Sequence, residues 1–389
     1  MSNKLDLKNL DLLELTDWVI KLDQKKYRAK QLFGWIYQKR VDAFDAMTDI
    51  SAAFRTTLNH LAYLSRIQLL TKQTAADGTR KYLFQLDDRN TIESVLIPDE
   101  DRLTVCVSTQ VGCAINCGFC LTGTSGFIRN LTSAEIVNQI LEVDLDAQTQ
   151  KSEVRSKQLD KTTSRLIPQN ATRAITNVVL MGMGEPLLNF DNVVRAIRIL
   201  SSTDGFNLAP KHITLSTAGI VPKLYDLAAA STNVNLAISL NATINQQRSY
   251  LMPINRKYPI EQLLQACRDY PIPPRRRITF EYVLISGVND TLADAHRLVK
   301  LLHGIRCKLN LIPFNEFPGC EFKRPALETI LQFQKILIDS NYTAIIRESR
   351  GQDILAACGQ LRSTEKNKAK SQNPNAKPNP NMQIPELDI

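Results

Sequence analysis

CAINCGFC, residues 113–120, sets three cysteines at a spacing of C-x3-C-x2-C. The chain holds eight cysteines in 389 residues. Chance would place three at fixed offsets on the order of once in 10^5 start positions, so the triplet calls for a chemical reason. The segments on either side of it decide the fold. Upstream, from about 78 to 108, TRKYLFQL, NTIESVLIP and RLTVCVS alternate with period two and are rich in β-branched residues, as strands do. Downstream, strand-like runs recur at NVVLMGMG (177–184), HITLST (212–217), VNLAISL (234–240), ITFEYVLI (278–285) and KLNLIPF (308–314). Helical patterns lie between them near 133–145, 190–202, 221–230, 260–270, 290–303 and 325–339. This alternation predicts βαβ units and a parallel sheet. With the strand that carries Cys106 there are six βα units, fewer than the eight of a closed barrel. The expected fold class is therefore α/β, a partial (βα)6 barrel.

Outside that core, residues 8–70 read as helical, with apolar positions at three and four, as in Leu13, Trp18, Val19, Leu22 and Leu32, Trp35, Ile36. KKYRAKQLFGWIYQKR (25–40) adds a basic face. Both a packed helix with a solvated basic side, the commoner case, and a nucleic-acid contact fit it. Residues 147–173 are polar and aperiodic and read as a long exposed insertion. The tail 363–389 is rich in Lys, Asn and Pro and reads as disordered. The expected division is a small helical accessory domain at 1–75, a β extension at 76–102, the barrel at 103–362 with the insertion 147–173, and the tail.

Hydrophobic content of 43% and charged content of 22% are those of a soluble globular protein. No apolar run approaches the ~18 residues of a membrane span. The charged start MSNKLDLKNLDLLELTDW is not a secretory signal, so a cytoplasmic location and reduced thiols are expected. The net charge of +9 fits a polyanionic partner such as nucleic acid and fits a lysine-rich solvated surface equally well.

Three thiols and no fourth narrow the chemistry. A structural zinc site wants four ligands and usually a second pair at a distance. Cys267, Cys307 and Cys320 are scattered singly, and no two of the four histidines have ligand spacing. Three thiolates on one loop suit a four-iron cluster, [4Fe-4S], with one iron left open to bind a ligand. Zinc stays the minor alternative. GMGEP (182–186) follows the apolar run NVVLM. A glycine at a strand end lets the backbone approach a ligand, and the Glu185 carboxylate can hold an ammonium group. A strand-end glycine pair alone is more often a turn.

Cysteines 113, 117 and 120 followed in order by Gly184–Glu185 resemble the radical S-adenosylmethionine superfamily. In that superfamily the open iron holds the amino and carboxylate groups of S-adenosylmethionine. The resemblance extends the cofactor contacts to Ser216 in TLSTAG, to Ser239, Leu240 and Asn241 in ISLNA, and to Asn315 in LIPFN. Locally, each of these is a cap or loop residue. A narrower resemblance covers nearly the whole chain. It runs through YRAKQLFGWIY, VSTQVGCAINCGFCLTGTSGFIRNL, VVLMGMGEPLLN, LSTAG, LMPINRKYPI, LIPFN and RGQDILAACGQL, and it is to the RlmN family of dual-specificity 23S rRNA and tRNA adenine-C2 methyltransferases. This chain differs from many members at Leu121, Thr124, Ser125 and Asn241.

The resemblance implies a reaction with two molecules of S-adenosylmethionine. Cys358 is methylated first. Its methyl group is then activated by the adenosyl radical and joined to carbon 2 of adenine. Cys106 resolves the adduct through a transient disulfide bond with Cys358, and Glu93, in NTIESVLIP, accepts the proton. Taken locally, Cys106 and Cys358 could each be small buried hydrophobes. The implied partners are 23S rRNA, tRNA and a small electron donor of the flavodoxin or ferredoxin type, with the enzyme a monomer. The alternatives are a Cfr-type adenine-C8 methyltransferase of 23S rRNA and, from another class, a non-enzymatic metal-binding RNA protein.

Overall fold

The structure, a computed structural model, describes residues 4–157 and 173–362. The tail 363–389 and most of the polar insertion lie outside the described residues. The chain begins with β1 (Leu5–Asp6), then α1 (Leu12–Lys21), α2 (Tyr27–Tyr37), α3 (Ala52–Leu61) and β2 (Ala62–Tyr63), which pairs with β1. Asp11 starts α1 with a reciprocal capping box to Glu14. Leu15, Val19, Leu32, Phe33 and Ile36 close the small apolar core between the helices. In α2 the apolar face is packed while Lys30 stays exposed and reaches Asp204. Of the two readings of residues 25–40, the packed helix accounts for that apolar face.

β3 (Gln68–Thr74), β4 (Arg80–Gln85) and β5 (Thr91–Asp99) form an antiparallel run that leads into β6 (Arg102–Cys106). The helical pattern expected to reach residue 70 therefore stops short: Gln68–Thr74 is a strand, because pairing with β4 overrides a weak local preference. A hairpin of β7 (Gln110–Gly112) and β8 (Phe127–Asn130) brackets the short α4 (Leu121–Thr124). Next comes α5 (Ser133–Lys157), followed by β9 (Asn177–Leu180), α6 (Phe190–Ser201), β10 (Ile213–Thr217), α7 (Val221–Ala229), β11 (Asn235–Ser239), α8 (Asn245–Leu251), α9 (Ile260–Asp269), β12 (Ile278–Leu284), α10 (Leu292–Leu302), β13 (Cys307–Pro313), α11 (Leu327–Asp339) and β14 (Ala344–Ile346).

The main sheet has ten strands in the order β14-β13-β12-β11-β10-β9-β6-β5-β4-β3. From β6 to β14 every pairing is parallel. The six βα units are all present, and β14 adds a short seventh parallel strand that the sequence did not reveal. β14 and β3 are the two edges, so the barrel is open. The expectation of an exposed loop from 147 is corrected in part: α5 runs on to Lys157, and Ala147 is buried. AQTQKSEVRSK lacks an apolar stripe, but extending a helix from a packed stem avoids the cost of nucleation.

Polar ties dock the N-terminal helices on the barrel. Lys8 is buried, and its Nζ donates to Ser65 O and Asn138 Oδ1, both at 2.8 Å. Arg40 pairs with the fully buried Asp144. Asp144 also accepts from the amides of Ala174 and Ile175, fixing the chain where it re-enters the barrel. At the opposite pole, Arg248 is completely buried. Its guanidinium donates to Leu240 O (3.0 Å), Ser239 O (3.1 Å), Ala218 O (2.7 Å) and Asn255 Oδ1 (3.1 Å). One side chain thus collects the carbonyl ends of β10 and β11.

Burial pulls the Lys8 ammonium down to about 8, against a smaller upward pull from Asp6. Between that pH and the ordinary lysine value near ~10.4, the unfolded chain holds a proton that the folded chain has released. Lys8 therefore makes stability rise with pH in this window, at up to about 1.4 kcal/mol per pH unit. Unfolding by denaturant across pH 8 to 10 should show a flatter dependence in Lys8→Met than in the wild type; equal slopes would contradict the burial argument. Arg248→Met should cost about 3–5 kcal/mol, read from the shift of the denaturant midpoint, because three buried carbonyls lose their donor.

Candidate active site

The cysteine loop is held in place through its backbone. Gly112 has φ +77°, and a Cβ there would stand 1.8 Å from Gly126 O, so only glycine lets the two arms of the β7–β8 hairpin meet. Cys113 N donates to Gly126 O (2.9 Å), Cys120 N to Cys117 O (3.1 Å) and Gly118 N to Leu251 O (3.0 Å). Cys113, Cys117 and Cys120 are half-buried. Burial, and then the neighbouring thiols, push Cys117 well up; burial moves Cys113 to about 12, with Cys120 and Glu185 adding to the rise. The three sulfurs are therefore mutual neighbours, with Glu185 beside them. Among the described residues no set of three His, Cys, Asp or Glu side chains forms a finished metal cage.

The glycine–glutamate turn lies against the start of β7. Gly184 has φ +101°, and a Cβ there would fall 2.5 Å from Gln110 Cβ. Glu185 is buried. Its amide donates to Gln110 Oε1 (2.9 Å), its Oε1 accepts from Leu187 N (3.0 Å) and its Oε2 accepts from Ala218 N (2.7 Å). Burial raises its carboxyl, while the amide of Ala218, the Thr217 hydroxyl and the amide of Leu187 pull it back. A buried carboxylate next to three thiols suits an ammonium group carried on an open iron, so the donor set fits an iron–sulfur cluster with S-adenosylmethionine.

The other expected cofactor residues sit on the carboxyl ends of the parallel strands, where barrel ligands bind. Ser216 Oγ donates to Glu281 Oε2 (3.2 Å). Ser239 and Leu240 offer their carbonyls to Arg248. Asn241 has φ +58°; its Oδ1 accepts from Val283 N (2.9 Å) and its Nδ2 faces Met252 Sδ (3.2 Å). Asn315 Nδ2 donates to Cys358 O (3.2 Å). In this structure Asn241 and Asn315 therefore organise the walls of the site.

Cys106 and Cys358 come together from opposite ends of the sheet. Burial pushes Cys106 up to about 12, Cys358 raises it further, and Arg347 acts downward. Cys358 is solvent-accessible but set in a dense surround; burial raises its thiol, and Arg347 is the main opposing influence. Both are free thiols. The expected disulfide bond is thus corrected to a neighbouring dithiol, for a physical reason: only a thiolate attacks sulfur, and burial keeps Cys106 protonated. Glu93 is buried on β5. Its carboxylate lies 3.4 Å from Lys81 Nζ and accepts from Arg362 N (2.8 Å), four residues past Cys358. Burial raises its carboxyl despite Lys81.

Two residues of the site escaped the sequence reading. Arg248 lies on α8, a helix the periodicity did not reveal, and a lone arginine there carries no local signal. Arg347 follows β14. Its Nη1 is 3.6 Å from Glu281 Oε1 and 3.9 Å from Met181 Sδ, and it adjoins both thiols.

Comparison with known proteins agrees with this geometry. Residues 5–64 match the ribosomal RNA large subunit methyltransferase N-terminal domain, and residues 107–299 match the radical SAM superfamily. The dual-specificity RNA methyltransferase RlmN of Pelobacter propionicus is 49% identical over 93% of this chain and 97% of its own length. That of Geobacter sulfurreducens is 48% identical over 93% of each chain. A crystal structure of a radical SAM methyltransferase from Sphaerobacter thermophilus superposes with a TM-score of 0.78 at 42% identity, covering 92% of this chain and 99% of that one. The chain belongs to the RlmN family of radical S-adenosylmethionine RNA methyltransferases.

Proposed function

We propose that the protein makes 2-methyladenosine in 23S rRNA, at an adenosine of the peptidyl transferase centre, and in tRNA, at the adenosine next to the anticodon. One observation carries this reading: the barrel brings Cys358, Cys106 and the segment bonded to Glu93 to the mouth that also holds the three-cysteine loop. Cys113, Cys117 and Cys120 would hold a [4Fe-4S] cluster, and Gly184, Glu185, Ser216, Ser239, Leu240, Asn241 and Asn315 would surround S-adenosylmethionine. When bound, these groups supply the methyl carbon and the radical that activates it.

The protein's own side chains do the rest. Cys358 carries the methyl carbon on its sulfur and presents it to the adenine from an exposed position. Glu93, hydrogen-bonded to the strand of chain that follows Cys358, removes the proton from carbon 2 once the new bond exists. Its raised pKa gives it the proton affinity of a working base. Cys106 then attacks the Cys358 sulfur and frees the product. Residues 1–75 serve as the RNA-facing accessory unit, 76–102 as the β extension and 103–362 as the catalytic barrel. Among the described residues no helix is long and apolar enough to cross a membrane. A monomer in the cytoplasm, reduced by a small flavodoxin- or ferredoxin-type protein, completes the reading.

Anaerobically reconstituted enzyme should convert adenosine in 23S rRNA and tRNA to the 2-methyl nucleoside by mass spectrometry; an 8-methyl product, or none, overturns the assignment. Cys358→Ala should abolish methylation. Cys106→Ala should accumulate a covalent protein–RNA species on denaturing gels. Glu93→Gln should keep Cys358 methylation and slow product release by about 10^2-fold. In the wild type, release should fall as pH drops through the raised Glu93 pKa, above the ordinary value of ~4.3, because the protonated carboxyl cannot accept.

A further inference from the structure

The cysteine loop has two different neighbours. Gly359, next to Cys358, lies against Phe119 O and Cys120 Cα. At the other side, Tyr250 and Phe322 lie against Gly118: a Cβ on Gly118 would sit 3.7 Å from Phe322 Cε2 and 4.0 Å from Tyr250 O. Gly118 is exposed, and it is bonded directly to Cys117 and two residues from Cys120. It is thus the point where solvent comes nearest, along the chain, to two cluster-ligand cysteines at once.

The rim around Gly118 is ordered. Tyr250 is 65% exposed yet packs edge-to-face on Phe322 (centroids 6.0 Å, 86°), which packs in the same way on the buried Phe314 (6.1 Å, 84°). Arg256 and Lys257, on the next short helix after α8, are exposed, and Lys323 follows Phe322 in the chain. Carboxylates nearby are Glu316, paired with Lys323 at 3.2 Å, and the exposed Glu321. Cations outnumber them. A small, flat, aromatic patch with a positive rim suits a brief encounter with an acidic protein.

We propose that the Gly118–Tyr250–Phe322 face is where a small acidic one-electron carrier docks to reduce the cluster. The inference rests on the radical chemistry proposed above. The carrier gives up one electron and the cluster gains one; no atom is transferred. RNA fits this face less well, because its target adenosine must reach Cys358, on the Gly359 side of the loop.

The test uses cluster-loaded enzyme and a bacterial flavodoxin. In the wild type, the affinity for oxidised flavodoxin and the rate at which reduced flavodoxin bleaches the cluster absorbance should both fall as salt rises. Arg256→Glu with Lys257→Glu, and separately Tyr250→Ala, should weaken binding and slow reduction by about tenfold. Reduction by dithionite, which needs no docking, should be unchanged. Flavodoxin binding and reduction equal to wild type in the variants would overturn the proposal. So would an equal slowing with dithionite, or a loss confined to dithionite-driven RNA methylation, which would make the face an RNA contact. A wild-type protein that dithionite cannot reduce would instead sink the radical reading itself.

Discussion

Four hydrogen bonds fold the last described segment back across the barrel mouth. Leu121 N donates to Gly359 O at 2.7 Å and Thr122 Oγ1 to Leu361 O at 2.7 Å. Arg362 N donates to Glu93 Oε2 at 2.8 Å and Asn315 Nδ2 to Cys358 O at 3.2 Å. Everything proposed for the reaction depends on them. Cys358 follows β14 at one edge of the sheet, while Cys106 ends β6, with five strands between them in the sheet order. The two sulfurs become neighbours because the sheet curls and because this segment is stitched to the cysteine loop. Each stitch uses backbone amides and carbonyls, so the segment stays placed even where its side chains face solvent. Cys358 itself remains exposed, as a group that must reach a base on a large RNA should be.

The open barrel makes that arrangement possible. In a closed (β/α)8 barrel the interior is filled by layers of side chains. Here β14 is three residues long and pairs only with β13, and the gap beyond it admits the returning chain. The return is steered by Arg347, whose amide donates to Leu311 O on β13 (2.8 Å) while its side chain reaches Glu281 on β12 and Met181 just past β9. A residue leaving one edge of the sheet thus touches strands well inside it. Arg248 performs the matching task on β10 and β11. The two buried arginines hold opposite walls of one mouth, each by donors that a lysine's single ammonium would not span.

Much of this was legible in the sequence. Period-two apolar runs placed β4, β5, β6 and the parallel strands through β13 correctly, and the three- and four-residue spacing placed α6, α7, α9, α10 and α11. These elements bury one continuous face, which is what periodicity reports. The elements that were missed do not. β14 is Ala-Ile-Ile between polar neighbours, too short to show alternation. α8, NQQRSYL, hides only Arg248 and Leu251. The C-terminal part of α5 has helix-forming residues without an apolar stripe. At the site, the ligand cysteines were readable because their spacing is local. The approach of Cys106 to Cys358 could be had only through family resemblance, since no local pattern encodes a contact between residues so far apart in the chain. Arg347 and Arg248 were missed for the same reason: their partners are backbone carbonyls and side chains on other strands.

The position of Arg347 also bears on the order of events. A buried thiol resists ionisation because its thiolate would lose hydration, and this keeps Cys106 protonated and unreactive in the resting enzyme. Arg347 works in the other direction on both Cys106 and Cys358, and Cys358 is the largest influence raising the arginine's own pKa. One cation therefore serves two sulfurs. Once Cys358 carries carbon, its sulfur can no longer become a thiolate and no longer competes for the guanidinium. The favourable interaction is then left to Cys106. Methylation of the first cysteine thereby improves the second as a nucleophile, so the group that ends the reaction gains reactivity only after the reaction has begun.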